Sequence, residues 1–95
     1  MKRKLSNTRR KELKKKAYPL KPIIMIGQKG LTDAVIAEID SALDTHELIK
    51  IRIRGADKDE RTEQCLKIEQ QLSAHLIQQI GFINVFYRLA PPSTE

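Results

Sequence analysis

Apolar residues recur along this chain at two spacings, and the spacing switches at glycines and prolines. Residues 23–26 (Ile-Ile-Met-Ile) are wholly apolar and rich in β-branching. Such a run predicts a central strand covered on both faces. Leu31, Val35, Ile39 and Leu43 then recur every four residues, with Ala42 beside them. That is the period of an amphipathic helix, placed over 33–45. Thr32 is a good cap for it, and Asp33 sits favourably in the first turn. At 48–54 the period drops to two: Ile49, Ile51 and Ile53 alternate with Lys50, Arg52 and Arg54. This predicts a half-buried strand with three cations on its outer face.

The remaining elements are marked by caps and turns. Residues 55–57 read as a turn, and Asp57 with Glu60 three later resembles a capping box for a helix over 58–73. Cys65, Ile68 and Leu72 would form its inner side. Two last strands, 75–80 and 83–89, are joined by Gly81 and Phe82. Glycine at the first central position suits a type II′ turn. At the front, Ser6 can cap a helix over 7–17, whose one narrow apolar edge is Leu13 and Ala17. Pro19 and Pro22 end it and force an extended connection. Residues 1–5 read as a basic arm and 90–95 as a frayed tail.

The predicted order is α-β-α-β-α-β-β. A β-α-β crossover pairs its strands in parallel, and a hairpin pairs them antiparallel. The fold class is therefore α/β, a two-layer sandwich with a four-stranded mixed sheet. The 95 residues suffice for one domain, 1–95. A composition of 40% hydrophobic and 32% charged residues fits a folded, water-soluble chain. No apolar run approaches the roughly 20 residues of a membrane helix, and no apolar leader core follows the basic start. The single Cys65 suits a reducing compartment. We expect a cytoplasmic protein, monomeric and without a membrane partner.

Charge changes this picture most. The net charge is +6, yet residues 1–21 hold ten Lys or Arg against Glu12 alone, a local +9. The remaining residues carry eight bases and eleven acids, a net −3. A basic segment on a mildly acidic body is the footprint of a polyanion partner. Arg9, Arg10, Lys14, Lys15 and Lys21 are its candidate contacts, and Lys50, Arg52 and Arg54 extend the set.

Enzymatic chemistry finds little support. His46 and His75 lie far apart at element ends, without metal-ligand spacing, and read as surface residues. Cys65 lies on an apolar helix side with no base in view, which fits core packing. Neither GxxxxGK[ST] nor GxGxxG is present. We expect no cofactor, metal, catalytic residue or small-molecule substrate. Gly27-Gln28-Lys29-Gly30 is different. A Gly-x-x-Gly turn opening a helix presents backbone N–H groups and the positive end of the helix dipole. KH domains clamp a nucleic-acid backbone with such a loop. Lys29 adds a mobile cation. Phe86 or Tyr87 could stack on a base if either faces outward.

These residues carry a family resemblance. Residues 20–40 (LKPIIMIGQKGLTDAVIAEID), HELIKIRI downstream and Phe86-Tyr87-Arg88 near the end resemble the CRM domain (chloroplast RNA splicing and ribosome maturation). The bacterial stand-alone YhbY type is the nearest form, over roughly residues 10–89. Its most specific stretch is Leu20-Lys21-Pro22, the apolar strand, Gly27 and Gly30, then Leu31-Thr32. The resemblance implies a fold like the C-terminal domain of translation initiation factor three. It also implies RNA binding at the Gly27–Gly30 loop and association with precursors of the large ribosomal subunit. Arg88 joins the candidate contacts. Phe82 stands where such proteins usually carry a basic residue, and the third helix is poorly matched. The rival expectation, from another class, is a protein-interaction module docking on an acidic ribosomal or assembly-factor surface.

Overall fold

A computed structural model of the protein describes residues 4–54 and 57–89. Its elements are α1 (Asn7–Ala17), β1 (Ile24–Ile26), α2 (Asp33–His46), β2 (Leu48–Ile53), α3 (Lys58–Leu72), β3 (His75–Ile80) and β4 (Ile83–Tyr87). The expected turn at 55–57 falls mostly outside the described residues, as do the start of the basic arm and the 90–95 tail.

Each helix begins where a short polar side chain can take up an orphan backbone N–H. Ser6 Oγ accepts from Arg9 N at 3.1 Å, Thr32 Oγ1 from Val35 N at 3.2 Å and Asp57 Oδ1 from Glu60 N at 2.9 Å. The helices end less regularly. Glu47 and Ser73 follow α2 and α3 with φ of 63° and 52°, a region that glycine usually takes.

The four strands form one mixed sheet in the order β1-β2-β4-β3. β1 and β2 are parallel, and β4 is antiparallel to both its neighbours. Gly81 has φ +57°, and Phe82 is not among the positive-φ residues, as a type II′ hairpin turn requires. β3 carries a bulge at Ile77, where the register slips between Leu76 and Gln78.

The main core lies between one sheet face and helices α2 and α3. Ile49, Ile51 and Ile53 of β2 are at most 1% exposed and meet Ile39, Leu43, Cys65 and Ile68. Burying each such side chain stabilises the fold by roughly 1.5–3 kcal/mol. Burial pushes the Cys65 thiol up to about 12, and its Sγ donates to Asn84 Oδ1 at 3.3 Å. The sandwich has an addition on its far side. Leu13 and Ala17 of α1 cover Ile77, Val85 and Tyr87 there, forming a second, smaller core.

Three expectations need correction. β1 is an edge strand, not a central one, and only one of its faces is covered. Ile24 and Ile26 are buried, while Ile23 and Met25 are 50% and 56% exposed. The reason is reach: α1, at 11 residues, is seated over β2, β3 and β4. β4 ends at Tyr87, two residues early; Arg88 N still donates to Glu47 O at 2.9 Å, while its side chain turns to the helices. His75 is buried rather than on the surface, stacked on Tyr87 with ring centroids 6.5 Å apart. Phe86 and Tyr87 point to opposite faces, each into a core.

Candidate nucleic-acid interface

The loop after β1 is shaped by one hydrogen bond and one glycine. Gly30 N donates to Gly27 O at 3.0 Å, closing residues 27–30 into a turn. Thr32 N then donates to Gly30 O at 3.1 Å, and α2 starts. Gly30 has φ +71°, which a side chain rarely adopts. Gly27 has an ordinary φ, and a Cβ built on it would meet nothing within 4 Å. The fold itself therefore gives no reason for glycine at 27. Gln28 and Lys29 are exposed. Arg54 joins the loop through the backbone, its N–H donating to Ile26 O at 2.8 Å.

Period-two geometry builds the second part. Lys50 and Arg52 stand on the sheet face away from α2 and α3, because Ile49, Ile51 and Ile53 take the other face. The pairing places Met25, Arg52, Ile83 and Ile80 in one row across the four strands. Lys50, Val85 and Gln78 form the next row. α1 crosses the same face with Lys14 and Lys15 beside this second row, around a groove of about 630 Å³. Lys21 borders a neighbouring groove of about 390 Å³ with Met25 and Arg52. Lys50 is anchored at the seam, Nζ donating to Tyr18 O at 3.3 Å.

Three candidate arginines are also bound into the fold. Arg9 donates to the Tyr87 hydroxyl at 3.5 Å and to Glu12 Oε2 at 3.3 Å, with its guanidinium 5.4 Å from the centre of the Tyr87 ring. The Tyr87 hydrogen bond raises its pKa further. Arg10 Nη1 donates to Leu76 O at 3.1 Å, fixing α1 to the start of β3. Both keep their charge on the basic side. Arg88 does not. Its guanidinium reaches Asp40 Oδ1 and Asp44 Oδ1 at 2.8 Å each, and Leu72 O and Asp40 O at 2.9 Å each. It ties α2 and α3 to the end of β4, away from the α1 side where the other candidate cations gather.

Some residues at the surface were invisible as candidates. Arg61 of α3 lies 4.9 Å over the Phe82 ring. A cation thus stands beside the hairpin tip where the resemblance expects one. Gln64 stands behind the loop, its Nε2 3.4 Å from where a Gly30 Cβ would be, and its Oε1 is buried without a hydrogen-bond partner. Neither pairing has a sequence signature, since both join α3 to distant turns. Tyr18, 87% exposed between α1 and Pro19, carried no signal in the sequence.

Acidic residues collect on the opposite side. α2 carries Asp33, Glu38, Asp40 and Asp44 and no Lys or Arg. α3 is mixed, with Asp59, Glu60, Glu63 and Glu69 beside Lys58, Arg61 and Lys67, whereas Glu12 is the single acid of α1. Among the described residues no group of three or more His, Cys, Asp or Glu is arranged to hold a metal ion. No helix among them is long and apolar enough to cross a membrane.

Comparison with known proteins agrees with this arrangement. The family model described as the CRS1 / YhbY (CRM) domain matches residues 5–88, third helix included. A Haemophilus influenzae protein named an RNA-binding protein is 42% identical over 91 residues, covering 96% of this chain and 89% of its own. A Pseudomonas aeruginosa relative, named as a candidate RNA-binding protein, is 34% identical over 87 residues, covering 92% and 84%. The solution structure of a Staphylococcus aureus protein, described as a candidate RNA binder, superposes with a TM-score of 0.81. It is 27% identical and covers 96% of this chain and 95% of that one.

Proposed function

We infer the function from one premise: the chain belongs to the CRS1 / YhbY (CRM) domain family, whose model spans residues 5–88. Its role is RNA binding, without catalysis. The observation that carries this reading is the separation of charge by face. Lys14, Lys15, Lys21, Lys50 and Arg52 share the α1 side, while α2, behind the sheet, carries four acids and no Lys or Arg and α3 is of mixed charge. Such a surface neutralises phosphates and releases their counterions. The relatives' names support the same partner.

In finer detail, the loop Gly27–Gly30 clamps the RNA backbone at the N-terminus of α2, with Lys29 and Arg54 beside it. Gly27 allows close approach, a use consistent with the absence of any internal need for glycine there. The cations of α1 and β2 hold the flanking phosphates. The target is ribosomal RNA in precursors of the large subunit, and the protein acts as a cytoplasmic monomer that assists assembly. The family resemblance supports that target.

Changing Gln28 and Lys29 together to Asp tests the loop. Both are exposed, so the melting temperature should stay near that of the parent. Two carboxylates would then face the phosphates. RNA affinity is expected to fall more than about tenfold, or about 1.4 kcal/mol. A folded double variant that binds RNA like the parent would reduce the loop to a turn.

One observation favours the rival reading of a protein-docking module. β1 is an edge strand, and the side chains of Met25 on it and of Ile23 just before it are exposed. Isolating the protein from cells with and without RNase separates the two. An interaction through RNA is lost on digestion, and a direct protein contact survives.

A further inference from the structure

Part of one sheet face is uncovered, and what lies there is not the usual content of a wet surface. α1 closes over the β3 and β4 residues near Ile77 and Tyr87 and stops at Ala17. Beyond it the face continues through Ile83 and Ile80, the latter 63% exposed. These two floor the groove of about 630 Å³ described above. That volume falls within the roughly 300–1,000 Å³ of small-ligand sites. Tyr18 stands at its wall, 87% exposed although the groove beside it is apolar. Lys14, Lys15 and Lys50 border it, and no acid among the described residues does. Lys50 uses one ammonium proton on Tyr18 O and has two left. Gln78, on the floor, offers both an amide donor and an acceptor.

An apolar floor, an aromatic wall and an amide suit a flat heterocycle. A rim of cations suits the phosphate attached to it. We propose that this groove takes an unstacked nucleobase of RNA, with the neighbouring phosphate on Lys14, Lys15 and Lys50. The inference rests on the RNA-binding reading and adds to it: the strand bound here is unpaired. A base inside a duplex presents only its edges in the grooves and cannot enter. A protein segment would meet the same floor, but the uniformly positive rim favours a polyanion.

The test compares a short unstructured RNA with its perfect duplex, both titrated against the full-length protein at fixed salt. Tyr18→Ser combined with Ile80→Ser removes wall and floor without removing charge. Both side chains are exposed, and an unchanged melting temperature verifies the fold. Affinity for the single strand is expected to fall about tenfold, within the range for losing a base stack. Affinity for the duplex, and the salt slope on both RNAs, should stay within a factor of two of the parent. Tyr18→Phe keeps the ring and should bind like the parent. Single-strand binding that survives the double variant, or an equal loss on both RNAs, would overturn the base site while leaving RNA binding intact. A parent that binds neither RNA would remove both readings.

Discussion

At the scale of single residues, the two loop glycines answer to different demands. Gly30 sits at φ +71°, where a side chain costs about 1–2 kcal/mol. Gly27 faces no such constraint, and its Cβ position is empty. Gly30→Ala should therefore lower the melting temperature clearly. Gly27→Ala should leave it within roughly 2–4 °C, since a change without a steric or torsional penalty stays within about 0.5 kcal/mol. RNA affinity is expected to reverse the order per unit of stability lost. Gly27→Ala loses several-fold binding while fully folded, because the added methyl holds the phosphate backbone away. Thermal melts paired with RNA titrations decide it, and a Gly27→Ala protein that binds normally would leave that glycine without a role. Arg88 shows how tertiary contacts bear on such assignments. A cation in a matching tripeptide looked like a contact, but the four oxygens it reaches lie on α2 and α3.

At the scale of elements, α1 does two jobs on two stripes. Leu13, Ala17, Arg9 and Arg10 face the sheet, through packing, the Tyr87 contact and the Leu76 carbonyl. Lys14 and Lys15 stand over the groove, and their side chains make no hydrogen bond to the rest of the chain among those of the described residues. Replacing Lys14 and Lys15 by Gln keeps good helix formers in place, so stability should hardly move. If each neutralises one phosphate of a single strand, the slope of log K against log[salt] becomes shallower by about 1.4 in total. Arg10→Gln should behave otherwise. It leaves the Leu76 carbonyl without its partner, at about 1 kcal/mol, or a melting temperature lower by roughly 4–8 °C. Titrations at several salt concentrations, alongside thermal melts, distinguish the stripes. A stable Arg10→Gln protein would show the hydrogen bond to be dispensable.

At the scale of the whole molecule, position relative to the sheet matters more than total charge. Exposed charges separated by more than about 8 Å are largely screened at physiological salt. Glu38 and Glu63 lie on α2 and α3, behind the sheet. Reversing both to Lys adds four units of charge yet should change RNA affinity by less than about threefold at that salt. Lys50→Glu with Arg52→Glu subtracts four units on the open face and should abolish measurable binding. The same RNA titrated against both variants gives the answer. Equal and opposite effects would mean that net charge alone drives association and that no face is selected.

Local chemistry decided much of this protein before any tertiary contact formed. Ser6, Thr32 and Asp57 set three helix starts because a cap acts within one turn of itself. Alternation at 49–54 fixed which residues of β2 are buried, since a strand has only two faces. The glycine at 81 fixed the hairpin turn through its own φ. The apolar run at 23–26 looked central because the sequence shows how much of a strand is apolar, not how much has a neighbour. Only the assembled sheet put β1 at the edge and left Met25 uncovered. The gathering of Lys14, Lys15, Tyr18 and Lys50 around Ile80 and Ile83 was likewise unreadable. Those residues lie in three separate stretches of the chain, and nothing local records which side of the sheet α1 takes. That choice follows from where Leu13 and Ala17 find apolar surface left open by α2 and α3, a property that exists only once the sheet is built.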